Sequence, residues 1–272
     1  MSGPSEWVSS VDLTDAYSTG ILSKDIPTEL SRLHALERLL DPPVREVLAA
    51  LPLPAEAHCL DMGAGAGSIA YWLAGHRPAG RVTAADLDPR FLDPDRAGNL
   101  DVARVDLTRT EFPPAAFDLV HTRALLAHLP GRDELLHRSV RWLRPGGHLV
   151  VGELYLLPLE QTDPVLRPGL AVLQELFTAQ GTDVHWARRI PAVLKSGGLR
   201  DIQVRLTPLT LGLGQPADEF WQRSLRQYLP ILRERGLRTA DELAQLERML
   251  EDREATDLCW FFVTAWGRRP LS

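Results

Sequence analysis

The residues best placed to do chemistry are acids and glycines at set intervals. Asp61 is followed by Gly63, Gly65 and Gly67, with glycine at every second position. Such a turn lets a ligand lie against bare backbone. The helix that it opens offers unpaired N–H groups and the positive end of its dipole to that ligand. The spacing is not the Gly-x-Gly-x-x-Gly of dinucleotide sites, which would need glycine where Ser68 stands. Asp86, nineteen residues past Gly67, is placed to accept both hydroxyls of a ribose, and Asp106 with Leu107 to meet an adenine amino group. Each acid alone reads equally well as the cap of the next helix. Three of them at successive strand ends favour a nucleoside site.

Such residues need a scaffold that brings strand ends together. Short apolar strands at 58–62, 81–86, 100–106, 117–123 and 148–154 alternate with amphipathic helices. That pattern predicts an α/β fold whose parallel sheet is covered on both faces, with ligands bound outside the carboxyl ends of its strands. Ahead of it, two helices are expected, separated by a break at Asp41-Pro42-Pro43. Behind it come helices over 165–179 and 190–195, a sixth strand at 201–207, and a helical block over 217–251 with a capping box at Thr239 and Glu242. A last apolar run, 258–266, has strand length.

Composition narrows the function classes. The chain has 272 residues and a net charge of −6, without a basic stripe carrying aromatics, which argues against a nucleic-acid groove. No stretch approaches the ~20 apolar residues of a membrane span. Cys59 and Cys259 each sit in an apolar run and read as small buried hydrophobes of a reduced, cytoplasmic protein. No metal-ligand cluster stands out.

The chain resembles the class I S-adenosylmethionine-dependent methyltransferases. The matching segments are Leu60-Asp61-Met62-Gly63-Ala64-Gly65-Ala66-Gly67, Val82-Thr83-Ala84-Ala85-Asp86-Leu87-Asp88-Pro89, Val105-Asp106-Leu107, Phe117-Asp118-Leu119-Val120-His121-Thr122-Arg123, Ala127-His128-Leu129 and Leu143-Arg144-Pro145-Gly146-Gly147-His148-Leu149. Flanking segments, among them Glu29-Leu30-Ser31-Arg32-Leu33 and Gly181-Thr182-Asp183-Val184-His185-Trp186, are similar to actinobacterial small-molecule methyltransferases of natural-product pathways.

The resemblance implies a Rossmann-like, seven-stranded, mostly parallel sheet in a three-layer sandwich, with an added helical lid. The seventh strand would be antiparallel and lie between the fifth and sixth. It implies a lid over 1–56 and a cofactor domain over 57–272 with a helical insertion at about 208–256. Asp61, Gly63, Gly65 and Gly67 would hold the methionine part of S-adenosylmethionine, Asp86 the ribose, and Leu87, Asp106 and Leu107 the adenine, with Thr122 near the methionine end. One departure is Gly152, where many relatives carry a bulkier residue; it would open space below the substrate.

A methyl on sulfur is already activated, so positioning and water exclusion carry most of the catalysis. A base is needed only for a hydroxyl acceptor or a carbon that loses a proton. His185 is the first candidate, with Glu153 and Tyr155 comparable, while His128 reads as loop support and His121 as structural. Tyr17, Arg123, Trp186 and Trp221 are candidate acceptor contacts. The expected partner is a small molecule, not nucleic acid or membrane, and the reading leaves room for a homodimer. A nucleotide-dependent dehydrogenase and a relative with non-methylating chemistry, such as cyclisation, stay open as alternatives.

Overall fold

The computed structural model describes residues 20–252 and 254–271. Seven strands form one sheet: β1 His58–Met62, β2 Arg81–Asp86, β3 Leu100–Arg104, β4 Phe117–Arg123, β5 Leu143–Leu156, β6 Arg200–Leu211 and β7 Asp257–Arg268. Their spatial order is β3-β2-β1-β4-β5-β7-β6. The neighbours among β1 to β5 are parallel, while β7 runs antiparallel to both β5 and β6. The seventh strand therefore slots in where the resemblance placed it. Strand order reverses between β1 and β4, so the loops after β1 and β4 diverge and leave a crevice at their carboxyl ends.

Helices cover both faces: α1 Glu29–Ala50, α2 Ser68–His76, α3 Arg132–Trp142, α4 Arg167–Ala179, α5 Ile190–Ser196, α6 Pro216–Glu234 and α7 Ala240–Glu251. Cores on the two faces are built from period-two strand residues. Cys59 and Leu119 face the side covered by α1 and α2, whereas Leu60, Met62 and Val120 face α3 and α5. The capping box of α7 is present, with Thr239 and Glu242 exchanging hydrogen bonds.

The expected break in the first helix does not occur. Pro42 and Pro43 lie inside the continuous α1. Each lacks an N–H and removes one i→i−4 hydrogen bond, a cost of about 3 kcal/mol in an isolated helix interior. Packing holds the helix through this point. Leu36, Leu39, Leu40, Val44, Val47 and Leu48 are all buried in one stripe, and Asp41 is gripped by Arg45 of the next turn and by Arg123 from β4. α1 lies on α2 and α6 and shares one apolar cluster with the sheet. Strand boundaries differ as well. β3 ends at Arg104, short of Asp106, β5 begins at Leu143, ahead of the expected 148, and β6 runs on to Leu211, past the expected 207.

Candidate functional site

The glycine turn after β1 is held by backbone bonds from Gly63 N and Ala64 N to Ala85 O at 2.8 and 3.2 Å. Gly65 has φ +64°, and its N–H donates to Asp86 Oδ2 at 2.8 Å. Gly67 caps α2 with φ +93°; a Cβ there would lie 2.5 Å from the Tyr71 ring. Glycine is therefore demanded by backbone shape at these two positions. The turn forms one wall of a cleft of about 610 Å³, which also takes in Asp86, Leu87, Asp106 and Leu107.

The acids at the strand ends are not equivalent. Asp86 keeps its carboxylate at the cleft, taking N–H bonds from Gly65 and Asp88 and the ammonium of Lys24 at 3.1 Å. Asp106 lies past its strand and folds an Asx turn, accepting from Thr108 N and Oγ1 at 2.9 and 2.6 Å, while still lining the cleft. Asp61 is buried beneath the turn, 2.7 Å from His121 Nδ1. Neither Asp61, Gly67 nor Thr122 forms part of the cleft wall. The Thr122 hydroxyl is buried and meets no partner among the described residues.

Behind the cleft lies a smaller chamber of about 100 Å³. The two share Leu22, Leu33, Leu36, Ala124, His128 and Thr182. The rest of the chamber is largely apolar, with Leu156, Leu173, Phe177, Phe220 and Trp260. Ala124 sits at the junction in a left-handed conformation, φ +49°, its N–H fixed on Gly152 O at 2.8 Å. Strain of this kind persists where surrounding structure enforces it.

The polar groups of the chamber are held in check. Arg32 forms a two-pronged ion pair with Glu29 at 2.7 and 2.8 Å, and Gln227 donates to the same carboxylate. Glu153 is fully buried, and its Oε1 accepts the backbone N–H groups of Leu125 and Leu126 at 2.9 and 2.6 Å. Burial pushes its carboxyl up to about 7, against the pull of those N–H groups. His128 Nδ1 lies 2.9 Å from Thr182 Oγ1. Burial, reinforced by the charges of Arg32 and Arg132, pushes this imidazole down to about 4, so it is neutral at pH 7.

Other candidates fall elsewhere. His185 and Tyr155 rest ring to ring, 5.6 Å apart, and line neither cavity. Trp186 is buried in the core below, its Nε1 donating to Asp133 at 2.8 Å. Trp221 packs on Trp260, and its neighbour Phe220 reaches the chamber instead. Arg123 lines the cleft but is paired with Asp41. Gly152 leaves room for the Phe262 ring, 2.6 Å from where a Cβ would stand, and so serves packing between β5 and β7. Tyr17 lies outside the described residues. Sequence reasoning gave no site role to Lys24 or to Glu37, which carry no spacing signal for one.

Residues 60–151 match a family described as a methyltransferase domain. The methyltransferases str3 and str2 of Strobilurus tenacellus are 28% and 30% identical over 193 and 185 residues, or 68% and 65% of this chain. The chain spans 69% and 66% of their lengths. The chain belongs to the class I S-adenosylmethionine-dependent methyltransferases. A solved phosphoethanolamine N-methyltransferase 2 of Haemonchus contortus shares its fold, with a TM-score of 0.54 at 18% identity, over 94% of this chain and 56% of that one.

S-adenosylmethionine is the cofactor of this methyltransferase, and the residues present fit it. The cleft offers bare glycine backbone, a carboxylate at the end of β2, and a buried acceptor, Glu37 Oε1, with no well-formed hydrogen bond among the described residues. No described helix is long and apolar enough to cross a membrane, and no group of His, Cys, Asp or Glu among the described residues could hold a metal ion.

Proposed function

We propose that this methyltransferase holds S-adenosylmethionine in the larger cleft and a neutral, largely apolar small molecule of the secondary-metabolite class in the adjoining chamber. One observation carries the reading: the nucleoside-type cleft and the apolar chamber share a wall at Ala124, His128 and Thr182. Asp86 would accept the ribose hydroxyls, Leu87, Asp106 and Leu107 would enclose the adenine, and Gly63 and Gly65 would present backbone to the methionine part. Bound there, the cofactor supplies a methyl group already activated by its sulfonium.

The chain's own residues then have three tasks. Phe177, Phe220 and Trp260 exclude water from the chamber, where transfer needs close and fixed approach. Glu153 fixes the turn after β4 through its backbone bonds. His128, neutral at the junction, receives the proton of a hydroxyl acceptor. The charge pattern favours an uncharged acceptor, since Arg32 is matched by Glu29 and Glu153 is satisfied by N–H groups.

The test has two stages. Calorimetry with S-adenosylhomocysteine should show binding that Asp86→Ala weakens. A panel of hydroxylated aromatic and alkenyl compounds, beside carboxylate and amine compounds, is then screened by product mass. A gain of one CH2 on neutral hydroxyl compounds is the expected result. Gain only on charged compounds, or product without mass change, overturns the reading. The net charge of −6 supports action without nucleic acid, and the two buried free cysteines suit the reducing cytoplasm. A homodimer would find its contact on the edge strand β6, where Val204 and Leu206 are exposed, and sedimentation equilibrium decides it.

A further inference from the structure

Helix α1 brings another acid to the cleft. Glu37 stands one turn before Asp41, on a wall shared with Leu33, Gly63, Arg123 and Ala124. Its Oε1 is buried with no well-formed hydrogen bond among the described residues, and the one donor turned toward the carboxyl is the Ser68 hydroxyl. Leaving a buried acceptor unmet costs about 1–3 kcal/mol, and more for a charged one. Four groups face it: the Ser68 hydroxyl at the start of α2, Arg123 at the end of β4, and His34 and Asp41 on its own helix. The cations nearby are drawn elsewhere, since Arg123 and Arg45 both pair with Asp41. Burial accordingly pushes the Glu37 carboxyl above its ordinary range, with Arg123 pulling the other way.

Position says what is missing. The Arg123–Asp41 pair fixes this turn of α1 at the end of β4, and β4 lies across β1 from β2 and β3. Asp86 and Asp106 therefore mark one end of the cleft and Glu37 the other. A cofactor with its nucleoside at the first end brings its amino-acid end to the second. There an α-ammonium offers three N–H donors and a positive charge, which is what Glu37 lacks.

We propose that Glu37 accepts the α-ammonium of the cofactor's methionine end and thereby reads the amino-acid half of the donor. The proposal rests on S-adenosylmethionine being the donor, and its test separates the two. Calorimetry compares wild type and Glu37→Gln against two ligands. S-adenosylhomocysteine carries the amino-acid chain; 5′-methylthioadenosine keeps the adenosine and sulfur but lacks that chain. The variant should lose about tenfold or more in affinity for the first and less than about twofold for the second. Equal loss for both ligands, or no loss for either, overturns the proposal. Should the variant fold poorly, wild type titrated with the des-amino analogue of S-adenosylhomocysteine replaces it. The same deficit of about tenfold supports the proposal, and equal affinity overturns it. Wild type binding neither nucleoside would overturn the donor reading as well.

Discussion

Glu153 and His128 stand on the wall of one chamber and titrate in opposite senses. Glu153 is held up to about 7 when folded, against about 4.3 in an unfolded chain. Between those values the folded state binds a proton that the unfolded state has lost, so stability falls as pH rises. His128 is held down to about 4, against about 6.5 unfolded. Between those values the unfolded chain binds the extra proton, so stability rises with pH. Each slope is at most about 1.4 kcal/mol per pH unit, and the two oppose each other over the shared window. Glu153→Gln should therefore gain melting temperature relative to wild type from about pH 4.5 to 6.5, and His128→Asn should lose it. Three parallel melting curves across that window would show that neither group is held as described. The ring of His185, turned onto Tyr155 and away from both cavities, predicts a further result. His185→Ala should leave kcat/KM within about twofold of wild type once an acceptor is known.

Helices pack on one another with very uneven clearance, and glycine marks where it is least. Gly169, in the first turn of α4, faces Met249 of α7 and Trp221 of α6; an added Cβ would stand 2.2 Å from the Met249 Cε and 2.8 Å from the Trp221 ring. Gly75 in α2 is exposed, and an added Cβ would meet nothing within 4 Å. Alanine at Gly169 should destabilise by about 1–3 kcal/mol, and alanine at Gly75 should stabilise by up to about 1 kcal/mol. Urea midpoints moving in opposite directions are the expected outcome; movement in the same direction would refute the packing argument. Legibility in the sequence divides along similar lines. Asp86, Gly63 and Gly65 were readable because backbone shape and strand ends tie them to fixed intervals. The chamber was not, since α1, the turn after β4, α4, α6 and β7 each contribute a side chain that reads as ordinary core. Phe220 and Trp221 are neighbours on α6, yet one reaches the chamber and the other packs on Trp260. A hydrophobic stripe cannot distinguish those fates. Nor does the pair Pro42-Pro43 reveal that α1 runs on through it, because the buried stripe and the Asp41 ion pairs that hold it come from tertiary packing.

At the scale of the whole molecule, the crevice between the β1 and β4 loops gathers the proposed donor and acceptor cavities under one cover of helices. Its mouth is crossed by the segment ahead of α1, where Ile21 and Leu22 are buried, Gln227 of α6 donates to Ile21 O at 3.2 Å, and Asp25 pairs with Arg90. From this segment Lys24 reaches down, its side chain only 7% exposed, to the Asp86 carboxylate and to the backbone oxygens of Gly65 and Asp88. With Asp86 holding the donor's ribose as proposed, Lys24 would compete with the donor for that carboxylate, tethered close by at high effective concentration. A ligand that needs Asp86 binds only the fraction of molecules in which that ammonium has let go, and its apparent affinity is reduced by that fraction. Lys24→Met should accordingly lower the Kd for S-adenosylhomocysteine, measured by calorimetry, whereas weaker binding would make Lys24 a contact of the donor instead. On that reading, the threshold at which the cleft fills with cofactor would be set in part by the segment ahead of α1, through the hold that Lys24 keeps on Asp86.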